Sequence, residues 1–547
     1  MSHRRLVHVS RSAWSVLEPA LLPLAAAASL LLYDGSSRAR GDSSTVLVDV
    51  LILGGGIAGT SLAYHLSQRE TMNATETPIR VALLDAASLG SRATGLSAGT
   101  LWSAGHSRSR AAAHLFDVGC EVEAHSVEVY QQVQRAGFDC GLVQSGNLIL
   151  ARSEQERTYL VEEHARLHSL GYNALMLCNR QAVLQVEPAL CGGNSVAALW
   201  TLESGYVEPM LACRSIAEAA AAGAHGAMVF EDEEAIHLAR ADVEDGHGRR
   251  VKVSTASGRT FLARQVVVAA GVGCAALLRP LGLRVPIYPV QGTMVMFPGA
   301  GQLDEGDETG VGAGDGNCGG GLKHTLYVAE GAMRWQELYQ DDDQPTPDLP
   351  RYSTFDPIKQ VTITRHCYGR PVLGGDAVFG GSRVPMWRVK GAGPEELQPS
   401  LADVQGVMEH VSEFFPRAVL DKKDVEVAGA GAWLGVMPFS LDMRPLVGSL
   451  RPLGEQFRGL WLAGGFGPEG MMQAPGATRF LAQRVIAVLK EEDEERSDGS
   501  RHTCNNSNGS SGEEDVTDDA RVGDAVMTLY DPCRRGSGVS LLLPEKK

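Results

Sequence analysis

From Val50 onward the apolar residues fall into short unbroken runs and longer stretches where they recur at helical spacing. Residues 50–53 predict a strand, and Ala58, Leu62, Ala63 and Leu66 predict a helix directly after it, with a glycine turn between. Residues 79–87 form a second continuous apolar run, the pattern of a parallel strand covered on both faces. Residues 103–136 and 153–170 predict helices, with a strand over 145–152 between them. Residues 213–226 read as a helix stopped by glycine, 265–273 as a buried strand ending in a glycine turn, and 361–375 as a hairpin. Polar residues 67–78 interrupt this alternation, as do 299–322, rich in Gly, Asp and Glu, and 340–349, rich in Asp and Pro; all three predict surface insertions, and no internal repeat is present.

Gly54, Gly56 and Gly59 stand where the first strand ends and the first helix begins. A dinucleotide site needs that order: a turn too tight for side chains, then a helix whose free N–H groups meet a pyrophosphate. With Ile57 and Ala58 in the first helical turn the segment reads as such a cradle, an ordinary glycine-rich turn being the plain alternative. The second strand runs into Asp85 and Ala86, where a carboxylate can accept hydrogen bonds from a ribose. Polar residues 67–78 explain why this acid lies beyond the usual ~20-residue spacing.

Composition bounds the reading further. A chain of 547 residues, 44% hydrophobic and 21% charged, is long enough for two domains and ordinary for a globular protein. A net charge of −16 argues against a nucleic-acid surface. Ten cysteines without a CxxC pair or zinc-like His spacing indicate neither a metal site nor a disulfide framework, so reduced, buried thiols are expected. The first fourteen residues are Arg- and Ser-rich without an acid and precede the apolar residues 20–33, shorter than the roughly 20 residues a membrane span requires. Residues 1–45 therefore read as a targeting segment, mitochondrial by its basic, acid-poor composition, with a secretory signal or N-terminal anchor as the alternative. Residues 491–547, acidic and rich in Ser, Asn and Gly, read as a disordered tail.

Seven motifs occur in one order: the glycine turn with Asp85; "GLSAGTLW" from Gly95; "GYVEP" from Gly205; "VVVAAGVG" from Val266; "PVQG" from Pro289; "WLGVMPFSLDMRPLVG" from Trp433; and "LWLAGGFGPEGMMQAPG" from Leu460. On these the chain resembles the FAD-dependent oxidoreductases of the D-amino-acid oxidase superfamily, among them glycine oxidase, sarcosine oxidase and dimethylglycine dehydrogenase. The resemblance implies an α/β fold over 46–490, with a Rossmann-like, glutathione-reductase-like FAD-binding domain (about 46–145, 200–280 and 445–490). A mostly antiparallel substrate domain (146–199 and 281–444) is interleaved with it in sequence. It implies FAD rather than NAD, because the C-terminal motifs have no place in a plain nicotinamide dehydrogenase. The cradle would then include Ser97, Ala98, Gly99 and Thr100 beside the flavin, Ala270 and Gly271 against the nucleotide, and Gly465, Gly467, Gly470, Met471, Met472 and Gln473 at a second helix start.

The implied activity is oxidation of an amine or amino acid by hydride transfer to flavin, giving an imine that water hydrolyses, with oxygen or an electron carrier as acceptor. His366, Tyr368 and Met437 are the candidates facing substrate. Glycine-oxidase-like members clamp a carboxylate with arginines at the positions held here by Met437 and Pro468, so Arg365 and Arg444 are considered as replacements. Relatives that bind FAD covalently carry a histidine where this chain has "GLSAG"; dissociable FAD is expected, with His106 and Cys367 as the residues able to contradict that. No folate domain is expected. A non-catalytic FAD-binding mitochondrial assembly factor and a flavin monooxygenase are the alternatives; in the latter, "GGD" at 374–376 would have to serve the cofactor.

Overall fold

In this computed structural model residues 45–300 and 321–499 are described, apart from 69–77, 103–112, 243–248, 332, 334–352, 357–360, 365, 387–397, 417–430 and 441–443, together with Tyr530, Asp531 and short strands between 535 and 544. The targeting segment, most of the three insertions, His106 and Arg365 lie outside the described residues.

Among the described residues, sixteen strands form two large sheets. In chain order they are β1 (Thr45–Leu53), β2 (Val81–Leu84), β3 (Asn147–Ala151), β4 (Ala174–Leu177), β5 (Ala197–Thr201), β6 (Met228–Phe230), β7 (Ala235–Asp242) and β8 (Arg249–Thr255), then β9 (Thr260–Val268), β10 (Ile287–Phe297), β11 (Thr325–Val328), β12 (Tyr368–Val372), β13 (Asp376–Pro385), β14 (Ala432–Ser440), β15 (Leu446–Ser449) and β16 (Leu460–Gly464). The helices that matter are α1 (Ile57–Ser67), α2 (Ala113–Arg135), α3 (Glu154–Ser169), α4 (Arg180–Val186), α5 (Pro209–Ala222), α6 (Cys274–Leu278), α7 (Leu401–Phe414) and α8 (Gly470–Gly499).

The first sheet has the order β15-β16-β9-β1-β2-β6, with β8 added antiparallel to β9 and β7 to β8. Its centre, β16-β9-β1-β2-β6, is parallel. Val50–Leu53 and Val81–Leu84 are buried throughout, which is why both read as unbroken apolar runs. All eleven residues of α1 are buried, because it is packed between α5 and α8. The second sheet has the order β14-β10-β13-β12-β11-β3-β5-β4 and is antiparallel except where β11 meets β3. One face of it covers α7 and a core of Leu148, Phe297, Phe379 and Phe414. The opposite face looks toward the first sheet's helices and loops, with Ile149 and Tyr327 in their core. The chain builds the first sheet, leaves it for the second, returns, leaves again and comes back, so the two are interleaved in sequence.

Several sequence expectations change in detail. The helix expected over 213–226 begins at Pro209, whose missing N–H costs nothing at a helix start. The strand expected over 265–273 starts at Thr260 and ends at Val268, and Gly271–Gly273 is a 3₁₀ turn. Residues 361–375 do not pair with themselves: Val361–Thr364 pairs with Ser353–Asp356, whereas β12 forms its hairpin with β13, through Gly374 and Gly375 at φ 106° and 93°. The acidic run from Glu491 is helical to Gly499, Arg264 pairing with Glu492 and Asp493. Tyr530 is buried, its carbonyl accepting from Val447 N–H at 2.7 Å, and Leu543–Pro544 pairs with Leu283–Arg284. These described parts of 491–547 are thus ordered against the domain. Cys191 is disulfide-bonded, contrary to the expectation of reduced thiols throughout, while Cys140, Cys178, Cys213, Cys274 and Cys367 are free. Among the described residues no helix is long and apolar enough to cross a membrane, and no cluster suits a metal.

Candidate active site

Leu53, Val268 and Leu462 stand level in the parallel sheet, so β1, β9 and β16 end at one edge, the side where open α/β sheets take ligands. Each is followed by a left-handed glycine: Gly54 at φ 114°, Gly271 at 56° and Gly465 at 70°. Gly54 has a second reason to lack a side chain, since an added Cβ would lie 2.5 Å from Ala269 O. At Gly59 a Cβ would lie 1.9 Å from Gly54 O, so this glycine packs the helix onto its own turn. Gly271, by contrast, opens onto free space, with nothing within 4 Å of an added Cβ. The starts of α1 and α8 converge: a Cβ on Gly470 would lie 3.7 Å from Ile57 Cγ2. Both helices aim N-terminal dipoles into one crevice, where an anionic group is stabilised.

Asp85 follows β2 at the same edge, but its carboxylate also braces the turn. Oδ2 accepts from Gly55 N–H at 2.5 Å and Oδ1 from Ala87 N–H at 2.8 Å. Burial raises its carboxyl above the ordinary range, against the pull of those two amides. Ala86 is exposed. Thr94 Oγ1 accepts from Ile57 N–H at 3.0 Å, which sequence reading missed because nothing local ties residue 94 to 57.

The loop from Gly95 to Leu101 leaves that crevice toward the second sheet. Ser97, expected beside the flavin, turns its hydroxyl back into its own loop: Oγ donates to Thr94 O at 2.7 Å. Gly99, at φ 74°, lies so close to Val207 O that no side chain fits, and Thr100 pairs with Tyr206 of "GYVEP". The second sheet grips this loop at two carbonyls. Trp433 Nε1 donates to Leu96 O at 3.0 Å, and Arg370 Nε donates to Ala98 O. Arg370 also holds Glu208 through both terminal nitrogens, at 2.8 and 3.0 Å, and covers the Tyr206 ring at 4.9 Å.

These grips turn one face of the second sheet toward the loop on which a flavin would rest. That face carries Met294, Trp433, Tyr368 and Met437, with glycines 292 and 380 letting Met437, Met294 and Tyr368 lie close to the strands. Tyr368 Oη donates to Met294 Sδ at 3.8 Å, a weak acceptor. His366 is buried and sits between Tyr327 and Arg383: its Nδ1 is 3.0 Å from Tyr327 Oη, and its Nε2 bonds Arg383 Nη2. A guanidinium only donates, so Nε2 must accept; the ring's remaining proton is on Nδ1 and goes to Tyr327 Oη. His366 therefore has no lone pair for a substrate proton and works as an orienting residue rather than the catalytic one anticipated. The Trp102 ring packs on Tyr327 with centroids 4.8 Å apart.

Of the other candidates, Met471 and Met472 point into the core, and offer the crevice only backbone. Gly465 and Gly467 pack on Ser440 and Phe439, joining the end of β14 to the second helix start, with Pro468 in the same turn. Gln473 is buried; Nε2 donates to Glu469 at 2.6 Å, and Oε1 accepts from nothing among the described residues. An N–H or hydroxyl of a bound flavin nucleotide would satisfy that oxygen, and with the open space at Gly271 the cradle fits FAD. Arg444 is half-buried just ahead of β15, on the first sheet. Cys367 is fully buried under the opposite face, its thiol pushed up by burial, so it cannot reach a flavin. Gly374–Asp376 forms the β12–β13 turn of the second sheet.

A family model described as FAD dependent oxidoreductase (DAO) matches residues 49–319 and 338–484. Glycine oxidase of Geobacillus kaustophilus (strain HTA426) is 30% identical over 249 residues, 45% of this chain and 61% of that protein. Glycine oxidase of Bacillus licheniformis is 24% identical over 439 residues, 80% and 93% of the two chains. Mitochondrial sarcosine dehydrogenase of Homo sapiens is 27% identical over 253 residues, 45% of this chain but 25% of that one. The chain thus spans about three fifths of the first relative and a quarter of the last. The same fold occurs in the crystal structure of glycine oxidase from Geobacillus kaustophilus (TM-score 0.56, 24% identity, 82% and 95% covered) and of L-proline dehydrogenase from P. horikoshii (TM-score 0.56, 16% identity, 81% and 95% covered). Matched over well more than half its length, the chain belongs to the DAO family of FAD-dependent oxidoreductases.

Proposed function

We propose that this protein oxidises the C–N bond of a small amine or amino acid, with FAD held non-covalently. The observation that carries the reading is the double grip of Trp433 and Arg370 on the carbonyls of Leu96 and Ala98. It sets the face that carries Met294, Tyr368, Met437 and Trp433 against the loop on which a flavin would rest. When bound, FAD supplies the hydride acceptor. The chain's own residues supply position and dryness. Tyr368 gives up only a weak thioether contact to hydrogen-bond a substrate, and Trp102, Trp433 and Met294 keep water from the reacting carbon. Relatives named glycine oxidase and sarcosine dehydrogenase support the substrate class without fixing the substrate.

The test is the absorbance spectrum of purified protein before and after acid precipitation, then anaerobic addition of N-methyl and primary amino acids and simple amines. Flavin released to the supernatant and bleached by a member of the panel is the expected result. Flavin retained in the pellet would contradict non-covalent attachment, and flavin that no amine reduces would favour a non-catalytic FAD protein.

A further inference from the structure

We infer that Arg383 binds a carboxylate of the substrate, so that the amine oxidised here is a carboxylate-bearing one; this deepens the amine-oxidation reading and rests on it for the identity of the pocket. The argument begins with the register of β13 against β10. Gly380 pairs with Met294 and Gly381 with Thr293, but it is Arg383 that pairs with Gly292. Ser382 has no opposite residue: it is the extra residue of a β-bulge, at φ 33°. In an unbroken strand Arg383 would share the face of Gly381 and Phe379, toward α7 and the apolar core. The bulge moves it onto the face of Gly380. Accordingly the Arg383 guanidinium lies 5.7 Å from the centre of the Tyr368 ring, and Tyr368 pairs with Gly380 on that side.

The bulge is held in place. Ser382 Oγ donates to Asp403 Oδ1 at 2.6 Å on α7, and Asp403 Oδ2 accepts from Ser400 Oγ at 2.5 Å. Arg383 is only 6% exposed, and its guanidinium is oriented by the chain Tyr327–His366–Arg383. A positive backbone angle and a buried cation both cost stability, and here both serve to aim one guanidinium into the wall that carries Tyr368. A guanidinium fixed over the ring of Tyr368 presents a planar fork of N–H donors shaped for a carboxylate. Bulges that re-aim a side chain are characteristic of the margins of active sites.

The experiment titrates FAD-loaded protein with acetate, benzoate and pyrrolidine-2-carboxylate, each beside its primary amide, and reads the flavin absorbance band and the fluorescence of Trp102 and Trp433. The wild type should bind the carboxylates saturably and the amides at least about 30-fold more weakly. Arg383→Met should weaken carboxylate binding by about 30-fold or more while leaving FAD content and amide binding unchanged. Arg383→Lys should retain part of the affinity, and deletion of Ser382 should reproduce the loss by turning Arg383 off the face. Carboxylates that bind Arg383→Met as well as wild type, or bind no better than amides, or do not bind at all, overturn the inference. If Arg383→Met fails to fold, Arg383→Gln and Arg383→Lys make the same comparison. The two readings fail separately. An uncharged amine that reduces the flavin equally in wild type and Arg383→Met overturns this inference and leaves amine oxidation standing. Arg383-dependent carboxylate binding in a protein whose flavin no amine reduces sustains the site and overturns the oxidation.

Discussion

His65 lies in α1, directly behind the crevice, and its environment decides its charge. The ring is buried, and its Nε2 donates to Pro475 O of α8 at 2.8 Å. Burial, helped by the nearby Arg479 charge, depresses its pKa from 6.5 to about 4. A base whose folded pKa is depressed holds fewer protons folded than unfolded in that interval. Stability is therefore full above pH 6.5 and declines as pH falls toward 4, by about 3 kcal/mol for the single group. Thermal unfolding between pH 7 and 4.5 should show a shallower decline in His65→Gln, whose amide keeps a donor for Pro475 without titrating. Equal slopes in the two proteins would remove His65 as the cause. No sequence pattern marks this histidine, because its partner is 410 residues away.

At the scale of elements, α8 carries a proline inside its second turn. Pro475 has no N–H for the carbonyl of Met471, four residues earlier, and an interior proline normally breaks a helix. Here α2 repairs the gap from outside: Tyr130 Oη donates to Met471 O at 2.8 Å, and Ser126 Oγ accepts from Gly476 N–H at 2.8 Å. Gly476 permits this approach, since a Cβ there would lie 2.0 Å from Val122 O. The start of α8 is thereby stitched to α2 while remaining open at the crevice. Tyr130→Phe leaves a buried carbonyl unsatisfied and should cost about 1–3 kcal/mol in urea unfolding, with weaker FAD retention on gel filtration. A change under about 0.5 kcal/mol would mean that water replaces the hydroxyl.

At the scale of the molecule, two sheets with separate cores must hold one loop between them, and Arg370 is the chief tie. It is 3% exposed, joins β12 to Glu208 ahead of α5, and reaches Ala98 O in the flavin loop. Arg370→Met strands the Glu208 carboxylate and frees the loop; a loss of about 3–5 kcal/mol and release of FAD during purification are expected. Adding Glu208→Gln should restore part of the stability but not the flavin, because the Ala98 contact is still missing. Recovery of both would place the whole effect in the ion pair.

The sequence by itself determined the parts whose physics is local. A strand, a turn that only glycine fits and a helix are written within residues 50–67, where φ and packing are set by near neighbours, so this strand–turn–helix is legible in the chain alone. The order of motifs carried the interleaved architecture, because each strand end needs its own small residues. What tertiary structure alone decided depends on register and on partners far apart in the chain. Ser97 turned its hydroxyl to Thr94, Asp85 also braced the turn beside it, and His366 became an orienting residue because Arg383 occupies its acceptor nitrogen. Arg383 itself was invisible in the sequence: strict alternation puts it in the apolar core, and one bulged residue, held by α7, puts it in the site. A period of two is encoded in the chain, but the place where it slips is fixed only by what packs against it.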